Sequence, residues 1–164
     1  MKTYTRFPLQ KDEWQLASCV QSVLKRRERF LEELPSQEQI ASFFEQSRFG
    51  LRTNAIINLF LEEYDICSDY KDPYRKNFSL PIFLGGINDS EDVLAFFDGG
   101  SFGNFGLVCG YDYCANRKAQ DLVTLHVAKG DKPVLMDARH LVDRMELEGV
   151  KENCFGFYVI GERR

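Results

Sequence analysis

Apolar positions in the first third of the chain recur every three or four residues, the spacing of helices with one buried face. Over residues 14–34, Val20, Val23, Leu24, Phe30, Leu31 and Leu34 fall on one side. The basic run 25–29 falls mostly on the other side, as a solvated face. Ile40, Phe43 and Phe44 mark a second helix, with Ser36 as its cap, Gln39 completing a capping box and Gly50 as its stop. Ile56, Ile57, Phe60, Leu61 and Tyr64 mark a third, with Asn54 as cap. Residues 1–11 are polar and mixed, and read as a short edge strand followed by a bend at Phe7-Pro8.

Beyond a polar stretch at 64–77, where Asp72-Pro73 signals a turn, the period changes. Residues 79–84 read as a strand, with Pro81 placing it at an edge or a strand start. Residues 89–97 read as a short helix with acidic residues in its first turn. Residues 105–111, 122–128 and 155–160 read as strands, and Asp137 caps a helix containing Leu141, Val142 and Met145 and ended by Gly149. Helices first and a mostly antiparallel sheet second make an α+β arrangement, and 164 residues suit one domain spanning 1–164.

Composition removes several classes of function. An apolar fraction of 44% is too high for disorder, and a net charge of −4 argues against nucleic acid as the main partner. No apolar run reaches the length of a membrane span, and residues 1–10 lack the apolar core of a signal peptide. The five cysteines are odd in number and form no CxxC pair, which points to reduced thiols in a cytoplasmic protein. With two histidines, neither in ligand spacing to a cysteine, no zinc site is expected. The glycines at 99, 100 and 103 are not followed by a phosphate-binding helix, so no cofactor is implied. Oligomeric state leaves no mark in the sequence.

The best candidate for chemistry is Cys19. Ser18 and Gln21 have the form of a capping box, which would start a helix at Cys19. The helix macrodipole would then favour its thiolate, the species a cysteine nucleophile needs. Asp12 to Gln15 can also open the helix, earlier, which leaves Cys19 as a small core residue. Trp14 beside it reads either as an anchored aromatic or as the wall of a groove.

A cysteine opening the first helix, then Ser36-Gln37-Glu38-Gln39-Ile40, then Phe49-Gly50-Leu51-Arg52, then a strand-like Leu80-Pro81-Ile82, and finally Asn104 leading into Cys109-Gly110-Tyr111-Asp112, come in a telling order. That order resembles the papain-like cysteine peptidases, and most of all the small bacterial branch that includes the leader-processing domains of bacteriocin exporters. The resemblance implies a papain-like fold, N-terminal helices packed on a mostly antiparallel sheet. It also implies thiol-dependent hydrolysis or acyl transfer on a peptide or amide, with Cys19 as nucleophile.

The departures bear on activity. The family's histidine position falls on Asn104, and the next strand offers His126 where the family has a carboxylate or carboxamide that orients the histidine. His126 reads either as a partly buried strand histidine satisfied by backbone or, in an exchange of roles, as the base with Asn104 as its orienter. The other histidine, His140, follows Asp137 at a helix start and reads as solvent-facing. Gln15 stands near the family's oxyanion glutamine, at a shorter spacing from the cysteine. Two functions follow from the resemblance: a cysteine peptidase-like hydrolase using Cys19, His126, Asn104 and Gln15, or a catalytically inactive relative that binds a peptide or protein.

Overall fold

The computed structural model describes residues 1–30, 32–47, 52–114, 120–146 and 155–163. Expected features at Leu31, at 49–51, at Gly149 and at Cys154 lie outside the described residues.

Helix α1 (Gln15–Arg27) is more deeply buried than an amphipathic helix: from Gln15 to Leu24 every residue but Leu16 is inside. Two of its polar side chains are accommodated by hydrogen bonds to backbone carbonyls. The Ser22 hydroxyl donates to the Thr5 carbonyl at 2.9 Å, and Gln21 donates to that of Pro35 at 3.1 Å. The helix stops at Arg27, shorter than its apolar periodicity suggests. Glu28 takes a left-handed conformation (φ 51°), and the amides of Glu28 and Arg29 close back on Lys25 and Leu24. Helix α2 (Gln37–Gln46) carries the expected capping box, with Ser36 accepting from the Gln39 amide and Gln39 reaching back to Ser36. Helix α3 (Thr53–Leu61) starts two residues before the point an Asn54 cap implies; Asn54 lies inside it, and its side chain accepts from the Ser68 hydroxyl.

Among the described residues the sheet has six strands, all paired antiparallel: β1 (Ile66–Lys71), β2 (Asp92–Phe96), β3 (Phe105–Asp112), β4 (Leu122–Val127), β5 (Val134–Asp137) and β6 (Gly156–Glu162). Their order is β1-β6-β2-β3-β4-β5, so the last strand enters between the first two. Alternation sorts the side chains into two cores. Leu94, Phe96, Leu107 and Tyr158 pack under α1, α2 and α3. Val93, Ala95, Val108, Val123 and Phe157 pack on the other face, under α4 (Leu80–Gly85) and α5 (Ala138–Asp143). The architecture is α+β.

Four segments correct the sequence reading. Residues 79–84 form helix α4, not a strand, with Pro81 in its first turn, where the missing amide costs nothing. Residues 92–96 form β2, not a helix, because a run buried at all five positions between two neighbouring strands carries no strand alternation to read. Strand β1 lies in the stretch expected to be polar loop. Residues 1–11 form no strand; they run as a strap whose Lys2 amide donates to Cys109 and whose Pro8 carbonyl accepts from Gln37.

The basic run 25–29 is not simply a solvated face. Arg26 and Arg27 each donate from Nε to a different oxygen of Asp92 at 2.6 Å, and the Tyr4 hydroxyl donates to the same carboxylate at 2.6 Å. Asp92 has no solvent exposure, so the last turn of α1 is pinned to the start of β2 by a compensated buried charge.

Candidate functional site

A 3₁₀ turn over Asp12–Trp14 feeds directly into α1, which makes Gln15 the first residue of the helix. The reading in which the helix opens before Cys19 is the one observed. Cys19 lies just over one turn inside, about 6 Å along the axis, and is 1% exposed. Ser18 does not cap; it is buried mid-helix and its carbonyl accepts from Ser22. Burial pushes the Cys19 thiol up to about 12, against a smaller opposing pull from the Arg6 guanidinium.

The start of the helix faces the start of β3. Gln15 Oε1 accepts from the Asn104 amide at 2.8 Å, while its Nε2 donates to the Asp12 carbonyl at 3.1 Å. Both ends of the carboxamide are thus engaged. Gly103 makes this approach possible. Its φ of +82° suits glycine, and a Cβ there would strike the Gln15 side chain. The structure therefore brings Gln15 and Asn104 together, through the Asn104 backbone.

His126 lies elsewhere. It stands on β4 opposite Leu107, three residues beyond Asn104 along the sheet, a step of roughly 10 Å. Its ring faces the helical side, 5.7 Å from that of Tyr4, and is 6% exposed. Burial, helped by Arg6, holds its pKa down at about 4, so the imidazole is neutral at physiological pH. Cys19 on α1 and His126 on β4 both lie further in than this contact, and the Arg6 guanidinium acts on both. His140 sits at the start of α5, exposed, its amide capped by Asp137.

Beside Gln15 lies a recess of about 260 Å³. It is lined by Trp14, Leu16 and Ala17 at the helix start, Ala41 and Phe44 of α2, Thr53 and Ile56 of α3, and Phe96 and Phe105 of the sheet. The Phe96 and Phe105 rings stack 4.3 Å apart. Glu13 and Glu45 stand at its edge, both exposed, and Lys11 lies over the Trp14 ring at 4.8 Å. The sequence reading singled out Trp14 but missed the partners, because Ala41, Phe44, Phe96 and Phe105 belong to segments far apart in the chain. An earlier helix start, signalled by Asp12 and Glu13, would have brought Gln15 forward.

Among the described residues no group of three His, Cys, Asp or Glu side chains gathers as a metal site. No described helix is long and apolar enough to cross a membrane. Compared with known protein families, the chain matches none, and no curated protein matches it.

Proposed function

We propose that the protein is a catalytically inactive relative of the papain-like peptidases, a binding module whose recess beside the start of α1 receives a segment of a peptide or protein. One observation favours this over a thiol hydrolase. Where the first helix opens onto the sheet, the pair that meets is Gln15 and Asn104, through the Gln15 carboxamide and the Asn104 amide. A carboxamide is neither a nucleophile nor a proton acceptor at neutral pH. Burial weighs against the alternative pair, since the Cys19 thiol holds its proton tightly and the His126 imidazole is a weak base with its pKa down at about 4. The recess offers the second half of the reading: apolar walls next to a tethered helix start. A bacterial setting goes with the resemblance and a cytoplasmic one with the cysteine usage; Cys19, Cys67, Cys109 and Cys114 are free thiols.

The test compares the wild type with Cys19→Ser on peptidyl aminomethylcoumarins and on p-nitrophenyl acetate. Both proteins should give the same background rate. Turnover in the wild type that Cys19→Ser abolishes would return the protein to the hydrolases.

A further inference from the structure

Resting on that reading, we infer that the recess takes one large apolar side chain, presented by a stretch of peptide rich in lysine or arginine. Its volume of about 260 Å³ falls below the roughly 300–1,000 Å³ of sites built for whole small molecules. It suits a leucine or phenylalanine side chain. Its lining includes Trp14, Leu16, Phe44, Ile56, Phe96 and Phe105, with Thr53 as a polar member. Burying an apolar side chain against the apolar members supplies affinity without direction. Direction comes from the edge. Glu13 and Glu45 stand on different elements, the turn before α1 and the last turn of α2, and both border the same opening. Both are exposed, and neither enters an ion pair among the described residues. The neighbouring Asp12 is already neutralised by Lys129 at 2.9 Å, and Lys11 is laid over the outer Trp14 ring. The two carboxylates, unpaired among the described residues, therefore complement cations placed on either side of an apolar anchor, and they repel an acidic sequence.

Trp14 is the only tryptophan of the chain and lines the recess, so its emission reports occupancy directly. Three capped hexapeptides serve as probes: Lys-Lys-Leu-Phe-Lys-Lys, the same peptide with every Lys replaced by Glu, and the basic peptide with Ser-Ser in place of Leu-Phe. The first should change Trp14 emission saturably, the second should bind at least about ten-fold more weakly, and the third should give no saturable change. Glu13→Gln and Glu45→Gln should each weaken the first peptide by about 1.4- to 5-fold, the range of one exposed ion pair. Ala41→Phe should fill the recess and abolish the response. Should that variant fail to fold, Glu13→Lys combined with Glu45→Lys carries the same decision on exposed positions, and it must reverse the preference between basic and acidic peptides. Equal binding of the basic and acidic peptides, or no response to any of them up to about 1 mM, overturns the inference. Those results leave the inactive-relative reading standing, because that reading falls on Cys19-dependent turnover and not on peptide charge.

Discussion

Cys19 should be the slowest of the described cysteines to react in the native protein. With its thiol near 12, only about one molecule in ten thousand carries the thiolate at pH 8, against about a quarter for an unperturbed thiol near 8.5. Ionisation alone therefore lowers the rate roughly 2,000-fold. A more basic thiolate is intrinsically faster, and a Brønsted slope of about 0.4–0.5 over this shift returns roughly 25- to 60-fold. The net deficit is about 40- to 100-fold before access is considered. Access deepens it, because a residue 1% exposed meets the reagent only when the protein opens. The assay is a time course with iodoacetamide at pH 8, followed by digestion and mass spectrometry of each cysteine peptide. Cys67 and Cys114, both partly exposed, are the internal references, and in urea all sites should react at comparable rates. Native alkylation of Cys19 within ten-fold of Cys67 would refute both the burial argument and the choice of a binding module over a thiol enzyme.

Gly103→Ala should lower stability by about 1–3 kcal/mol, since it forces a side chain into a positive-φ position and against Gln15; thermal melting reads this, and an unchanged Tm would mean that Gln15 yields freely. Asp92→Asn should cost about 3–5 kcal/mol in urea unfolding, because Arg26 and Arg27 lose the charge that compensates them, and adding Arg27→Met should recover part of the loss. The pH dependence of stability should carry a His126 contribution with a definite sign. Folded His126 titrates at about 4 and the unfolded residue at about 6.5, so between those values the unfolded chain binds the extra proton. Stability is therefore lost as pH falls through that window, by up to about 3 kcal/mol, and His126→Leu should flatten the loss relative to wild type; parallel pH profiles would exclude the effect.

The sequence by itself determined the elements whose signals are local. The Ser36–Gln39 box starts α2, and Asp137 caps α5, because both motifs satisfy amides three residues away. Strands β3 and β4 emerge from short apolar runs, and helices followed by an antiparallel sheet is enough for α+β. Other features were decided by neighbours distant in the chain. β2 carries an acidic lead that looks like a helix start, yet Asp92 is the buried partner of two arginines more than sixty residues away. β1 is polar enough to pass for a loop and is held by its register with β6. The candidate site shows the same division. Cys19, Gln15, Asn104 and His126 are all visible as residue types, but which of them meet depends on where α1 starts and how far along the sheet each one lies. A start four residues earlier than the Ser18–Gln21 motif implies puts Gln15, not Cys19, at the opening onto β3. The Ser18 motif loses because Ser18 lies inside the helix, where the Gln21 amide it would cap is already bonded within the backbone ladder.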